Sequence, residues 1–594
     1  MQNIHQTVPS APNPPIETIS IDTIPDSILK PRYECNNKGV FWIGVKTSRD
    51  GEVMEQEPIR LADPIKLIGR GKDETGNYYR IIQWRDGISR QWQTLAIPMT
   101  EIGSNWHKLK RLGLSIMAGR RKRELLEDYL QSEGSMTPYI ITAQAGWAAN
   151  NHAYVLPNGE IITASNNANA LRIIYNGDKS QAAAYTPAGT LEEWQQQIAS
   201  KAQNNSRLSL LIGTSLAAPL LPLLGMKAGG FHLFGDSKDG KTASAFAAAS
   251  VWGNPEQLKV SWNGTSLAFQ NIANASNHNL VYLDEIGEAD PKQVAKTAYS
   301  IINGVSKAQG AKDGGNRDIY RWKILVLSTG EKPMDSYVTD GGAKWNAGQA
   351  ARLASIPSYT GKGIGSYDTL HGMNTSNELS QSLYTNTAQY HGMAGRALIR
   401  LLLDQPSVID EVKILMDNFI RLLPNMDGQA HVVALRFALV AATLELSAQY
   451  GITGLPTGNA FITIKQCFDD WLARTGIGKY EDQQILEQAI NFAQQHFHSQ
   501  RFALLPMPPS FPTPNDLAGY RKKNGNEDED LFYVLPATFL DEICQSFDKN
   551  KVCEVLFDAD WLKKADGKRW QHKLWGKGRF YLFAGILPPN ELQD

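Results

Sequence analysis

The segment Gly235-Asp236-Ser237-Lys238-Asp239-Gly240-Lys241-Thr242 follows directly on the apolar run Phe231–Phe234 and leads into a small-residue helical stretch, Ala243 to Ser250. It matches G-x-x-x-x-G-K-[ST] and constrains the chain more than any other feature. A strand must end where a helix begins, and the turn between them must let backbone N–H groups curl around phosphate oxygens. In that setting Lys241 supplies positive charge to the β/γ-phosphates and Thr242 a hydroxyl ligand to Mg²⁺, while the helix offers the positive end of its dipole. The pattern therefore predicts ATP and Mg²⁺ as ligands of residues 235–242.

A second segment, Leu280-Val281-Tyr282-Leu283-Asp284-Glu285, is an apolar strand ending in two carboxylates, 43 positions after Lys241. Asp284 is expected to hold Mg²⁺ through water, and Glu285 to polarise the attacking water. A third apolar run, Lys323 to Leu327, ends in Ser328-Thr329-Gly330-Glu331. Either hydroxyl could hydrogen-bond the γ-phosphate or its water. Guanidinium groups neutralise charge on a transferring phosphoryl group, often from a neighbouring subunit. Arg352, in GQAARLASIP, and Arg317, before the third strand, are candidates for that role. Arg436, in HVVALRFALVAATLEL, is expected on a helix leaning over the nucleotide as a lid.

At 594 residues the chain needs several cores. Its 42% apolar and 20% charged content excludes a wholly disordered, collagen-like or disulfide-scaffold protein. Lys plus Arg (59) and Asp plus Glu (60) nearly cancel, so any surface for nucleic acid must be local. Cys35, Cys467, Cys544 and Cys553 form no CxxC pair and read as free thiols of a cytoplasmic protein. The first residues lack the basic start and apolar run of a signal peptide. Leu208 to Leu224 is short for a membrane span and carries Pro219 and Pro222, so it reads as a buried core helix and no membrane is expected.

Composition shifts divide the chain into a lead-in (1–30), an N-terminal α+β domain (31–199), an α/β core with a parallel sheet (200–365), a helical domain (366–505), a Pro-rich linker (506–530) and a compact tail (531–594). In the N-terminal domain Arg85-Asp86-Gly87 and Pro157-Asn158-Gly159 mark turns, and a basic helical stretch runs from Lys108 to Leu130. The core shows four strands, FHLF, LKVSW, LVYLD and KILVLS, alternating with helical segments.

In order along the chain, GDSKDGKT, SWNGTSLAF, VYLDEIGEAD, INGVSKAQGA, KILVLSTGE and GQAARLASIP resemble an uncharacterised P-loop family of phages and chromosomal cassettes. That family includes cassette-encoded self-loading helicases similar to AAA+ replicative helicases of the minichromosome maintenance type. The resemblance covers about residues 35 to 450. It implies an AAA+ P-loop core, with Lys241, Thr242, Asp284 and Glu285 on the nucleotide motif, Ser328-Thr329 on the sensor and Arg352 as the finger. It implies a homo-hexamer, single-stranded or forked DNA as partner, and an initiator or primase as a further partner. Gln309-Gly310 stands where a basic residue is expected, leaving Lys307 and Lys312 to contact DNA.

The tail has two amphipathic segments followed by KRWQHKLWGKGRFYLF, a hairpin turning at Gly576 to Gly578, which is a winged-helix order. Lys563, Lys564, Lys568, Arg569, Lys573, Lys577 and Arg579 are expected to bind phosphates, with Trp570, Trp575 and Phe580 stacking on bases. Together these features imply an ATP-dependent DNA translocase or helicase acting in replication of a mobile element or prophage. Two alternatives stay open: a P-loop ATPase that remodels protein–DNA complexes without unwinding, and a nucleotide-regulated origin-binding initiator.

Overall fold

The computed structural model describes residues 29–584, apart from 105, 167–170, 309, 311–318, 344, 346, 427, 476–479, 507–513, 524–529, 546, 567–568 and 575. The chain divides into two compact units. One comprises the residues up to Ala143 with Leu171–Asn176, and the other comprises Gln144–Ala170 with Gly177 onward.

The first unit is built on a five-stranded sheet in which Lys66–Asp73, Tyr78–Arg85 and the edge strand Trp92–Pro98 pair antiparallel in succession. Asp86 shapes the turn after Arg85: its carboxylate accepts the N–H groups of Ile88 and Ser89, which also hold its pKa below the ordinary aspartate value. The basic stretch becomes two helices, Trp106–Arg111 and Arg120–Ser132.

The second unit takes in residues 144–170 and 177–199, which were expected in the N-terminal domain. The reason is burial: Tyr154, Leu156, Ile162 and Trp194 lie in the same apolar cluster as Leu210, Phe231 and Trp252. Its centre is a sheet of five strands, β1 (Gly229–Phe234), β2 (Lys259–Ser261), β3 (Leu280–Asp284), β4 (Leu325–Gly330) and β5 (Leu353–Pro357). The spatial order is β2-β3-β4-β1-β5, and every neighbouring pair is parallel. β5 was not among the four expected strands. It is a five-residue run ending in proline, and its pairing partner β1 lies more than a hundred residues away.

Side-chain alternation gives the sheet two dry faces. Phe231, Leu233, Tyr282, Leu325 and Leu327 point into one cluster, covered by the helices Ser206–Ala217, α1 (Lys241–Ala249) and Gly428–Gln449. Val281, Leu283, Val326 and Leu353 point into the other, covered by Ser266–Ala275 and Pro291–Asn303. Because the strands are parallel, their carboxyl ends share one edge, where ligands of open α/β sheets bind.

The expected core helix over 208–224 is wholly buried over Ser206–Ala217 and then breaks at Pro219. Among the described residues Gly428–Gln449 is long and apolar enough to cross a membrane, but 83% of its apolar window is buried within the protein. Phe437 on this helix sits 4.8 Å from the Phe231 ring and 5.4 Å from Phe468.

The remaining chain forms a cluster of its own around a six-stranded sheet. Three stretches placed elsewhere on sequence belong to it, one of them the edge strand Phe502–Leu505, expected in the helical domain. The helix Tyr480–His496 brings Ile485, Ala489 and Phe492 into the cluster, and Gly519–Lys523, expected in a linker, pairs with Phe502–Leu505 and Asp530–Val534. The hairpin Gln571–Leu574 with Gly578–Phe583 is antiparallel as its turn residues require. All four cysteines are free.

Phe437→Ala removes a fully buried ring between two others, so it should lower the stability of the second unit by about 3–5 kcal/mol. Denaturant unfolding followed by intrinsic fluorescence would read the loss, and a shift below about 1 kcal/mol would contradict the packing described.

Candidate functional site

The turn after β1 carries residues 235–242 at the carboxyl edge of the sheet. Gly240 caps α1 with φ 90°, a left-handed conformation that suits glycine, and a Cβ there would lie 2.8 Å from the Tyr367 ring. Asp236, Ser237 and Lys238 form the exposed crown, Lys238 itself at φ 68°. Gly235 is packed so closely that a Cβ would sit 1.9 Å from Ser358 Oγ. Asp239 is tied on both sides: its carboxylate accepts from Ser358 Oγ at 2.9 Å and its carbonyl from the Ser366 N–H at 2.8 Å.

Lys241 is 6% exposed, and its ammonium donates to the carbonyls of Gly235 (2.8 Å) and Asp236 (2.5 Å). Burial lowers its pKa, and the carboxylates of Asp239, Glu285, Glu331 and Asp236 act against that. The ammonium therefore holds the turn closed upon itself, and an anion entering the turn would replace two carbonyls as its partner.

β3 and β4 deliver the acidic pair and the hydroxyl between them. Thr329 Oγ1 donates to Asp284 Oδ1 at 2.6 Å and accepts from the Glu285 N–H at 3.2 Å. Tyr282 OH also donates to Asp284 Oδ1, at 2.7 Å. Glu285 has φ 45°, unusual for a residue with a side chain, and its carboxylate accepts the Gly287 N–H at 3.0 Å. Such a conformation costs about 1–3 kcal/mol and persists only where its surroundings impose it.

Ser328 does not join this group, which corrects its expected sensor role. Alternation along β4 turns it to the opposite face, where it is fully buried. There the Trp262 indole donates to Ser328 Oγ (3.0 Å), and the hydroxyl bonds His232 Nδ1 (2.9 Å), whose Nε2 bonds the Lys332 carbonyl (2.9 Å). A carbonyl can only accept, so Nε2 carries the proton and Ser328 donates to Nδ1.

The arginines separate by position. Arg436 is corrected from a lid over the nucleotide: its guanidinium lies against Gly229, at the amino end of β1, and donates to Ala351 O at 2.8 Å. Burial, with the neighbouring Arg352, pushes its pKa down to about 10. Arg352 ends the helix Ala347–Arg352, immediately before β5, whose first residue pairs with Gly230. It too lies at the amino edge, remote from the turn of its own chain. Arg317 lies outside the described residues.

Arg474 was missed by sequence reasoning. From the end of the helix Asn459–Thr475 its guanidinium stacks 5.3 Å above the Phe234 ring and makes two 2.7 Å hydrogen bonds to Asp335. Nothing in its local sequence marks it, because its partners come from two other parts of the chain.

Of the expected DNA contacts, Lys307 is exposed beside an antiparallel bridge between Val305 and Arg321, while Lys312 and Lys568 lie outside the described residues. Lys563, Lys564, Arg569, Lys573, Lys577 and Arg579 are all exposed. Lys564 is held between the Phe557 (4.2 Å) and Trp570 (4.4 Å) rings and Lys577 over Tyr520 (4.5 Å), whereas Lys573 and Arg579 face each other across the hairpin. Phe580, expected to stack on bases, is buried, because it alternates with Arg579 toward the sheet interior. Trp575 lies outside the described residues.

Residues 33–321 match the model of a family described as a domain of unknown function, DUF927. Most of the chain is similar in fold to a solved structure of the SCCmec type IV Cch, an active helicase. The two are 18% identical with a TM-score of 0.69, over 93% of this chain and 96% of that one. No curated protein matches. The mixed α/β architecture with its parallel sheet and helical regions thus resembles the fold of that structure.

Burial pushes the pKa of His232 down to about 4, and that of His278 likewise. An unfolded histidine titrates near 6.5, so between 6.5 and about 4 only the unfolded chain takes up these protons and stability falls with pH. Thermal unfolding between pH 6.5 and 5, above the carboxylate range, should show this decline, and His232→Gln should flatten it. Parallel curves for the two proteins would refute the assignment.

Proposed function

We propose that this protein is an AAA+ ATPase that converts Mg²⁺-dependent ATP hydrolysis into movement on DNA, as a translocase or helicase of a mobile element. The observation that carries the reading is the meeting, at one sheet edge, of a lysine-bearing phosphate turn with an Asp–Glu pair clasped by Thr329. The fold shared over nearly all of both chains with an active helicase supports the DNA-directed part.

The donor set fits the implied metal. Among the described residues no group of three His, Cys, Asp or Glu side chains could hold a metal alone. Mg²⁺ asks for no such cage, since it keeps waters and takes one or two protein oxygens beside substrate phosphates. Thr242 and Asp284 would hold it, and when bound it would supply charge neutralisation to the phosphates.

In this reading residues 235–242 bind the triphosphate through backbone N–H groups and Lys241 leaves its two carbonyls for phosphate. Glu285 orients the attacking water once its carboxylate leaves the Gly287 N–H. Thr329 keeps the two acids in register. Arg352 cannot serve its own site: β1 separates the two edges by several residues at about 3.3 Å each, well over an arginine's reach. It is assigned to the site of an adjacent subunit, which makes a closed ring, a homo-hexamer, the working form. The exposed cations of the C-terminal sheet and Lys307 are assigned to the DNA backbone. Among them Lys573 and Arg579, which lie opposite each other on the hairpin, should contribute most.

Lys241→Ala should abolish ATP binding, whereas Glu285→Gln should keep binding and lose about 10²–10⁴-fold in turnover. Equilibrium nucleotide titration with a coupled ATPase assay and displacement of a forked duplex reads both, and normal hydrolysis in either variant would overturn the roles. An inactive Lys241→Ala subunit mixed with an inactive Arg352→Ala subunit should regain part of the ATPase activity, because mixed interfaces combine an intact turn with an intact arginine. A mixture as inactive as its components would remove Arg352 from the site.

A further inference from the structure

The chain leaving β5 emerges at the same edge as the phosphate turn, since Pro357 pairs with Phe234. It then runs Ser358-Tyr359-Thr360-Gly361-Lys362-Gly363-Ile364-Gly365-Ser366-Tyr367, a second glycine-rich loop. Thr360 closes it, its N–H bonding the Gly365 carbonyl (3.3 Å) and its hydroxyl the Tyr367 carbonyl (2.8 Å). Gly361, Gly363 and Gly365 have φ of 79°, 75° and 67°, so the loop depends on residues without a side chain.

This loop is fastened to the phosphate turn from below and left open above. Ser358 and Ser366 bond the side chain and the carbonyl of Asp239, and a Cβ on Gly365 would lie 2.6 Å from that carbonyl. Around Gly361 and Gly363 there is open space, and Lys362 between them is exposed. Ser366 is fully buried, and its Oγ has no hydrogen-bond partner although it lies against Gly240, the residue before Lys241. A buried hydroxyl without a partner costs free energy unless some state of the site supplies one.

Position across the sheet says which part of a nucleotide this loop would meet. Asp284, Glu285 and Thr329 stand on β3 and β4, on one side of β1, and mark the γ-phosphate end. The second loop leaves β5, on the other side of β1. A triphosphate lying across the end of β1 therefore has its α-phosphate and ribose on the β5 side. Small residues there permit close approach, and Lys362 is the one cation the loop carries.

We infer that the Gly361–Gly365 loop is the nucleoside-side wall of the site and that Lys362 binds the α-phosphate of a nucleoside di- or triphosphate. The inference rests on the nucleotide reading of residues 235–242. Lys362 is a binding residue with no part in the bond-breaking step. Its loss should act on affinity for ADP and ATP alike and leave the saturated rate unchanged.

Titration of the full chain with ADP and with ATP, for wild type, Lys362→Ala, Lys362→Arg and Lys241→Ala, tests this. Lys362→Ala should weaken ADP and ATP equally by about tenfold, the loss of one charge-assisted contact, and Lys362→Arg should stay within about threefold of wild type. KM for ATP should rise in Lys362→Ala with kcat unchanged. Wild-type affinity in Lys362→Ala, or a loss confined to ATP, would overturn the inference while Lys241→Ala still shows the site to be real. Failure of wild type itself to bind either nucleotide would instead remove the nucleotide reading.

Discussion

The acidic strand end at the carboxyl edge depends on Thr329, which donates to Asp284 and accepts from the Glu285 N–H. One hydroxyl at the end of β4 thereby fixes both the carboxylate and the backbone of the acidic pair at the end of β3. The bonds can form only because β3 and β4 are adjacent, parallel and in register, Leu283 lying opposite Ser328. The Tyr282 hydroxyl adds a second bond to the same Asp284 oxygen, and Glu285 beside it has a left-handed backbone.

The opposite sheet face has its own clasp, running from Trp262 through Ser328 and His232 to the Lys332 carbonyl. Two neighbouring residues of one strand thus face apart, one holding the acids and the other tying β1 to β4 in a dry interior. Ser328 and Thr329 are indistinguishable as candidates until the pleat decides which way each points. A buried network of this kind leaves every member with a partner, which is the condition under which polar groups stiffen a core instead of weakening it.

The basic tail shows a comparable division. Cations that look equivalent in the tail sequence differ in the folded chain, since Lys564 and Lys577 lie over aromatic rings while Lys573 and Arg579 pair across the hairpin. An aromatic that alternates with an exposed arginine becomes core, as Phe580 does. The helix Tyr480–His496 packs into the cluster on this sheet and the strand Gly519–Lys523 pairs within it, although composition alone places them in a helical domain and a linker.

Local pattern was sufficient for the glycine-bearing turn between β1 and α1, the acidic strand end and four of the five parallel strands, because glycine spacing, a run of apolar residues and a terminal carboxylate are properties of a few consecutive positions. It did not suffice for β5, for Arg474 on Phe234 and Asp335, or for the attachment of Ser358 and Ser366 to Asp239. Each of these joins residues roughly a hundred or more positions apart, and no short window contains both partners. Arg352 and Arg436 show the same limit: two arginines of similar appearance in sequence prove to share the amino edge of the sheet, one ending a helix beside β5 and the other buried against Gly229. The motifs from which the proposed chemistry is read therefore lie in contiguous residues, while which side chains meet at the carboxyl edge was decided by strand order and pleat, which exist only once distant segments have paired.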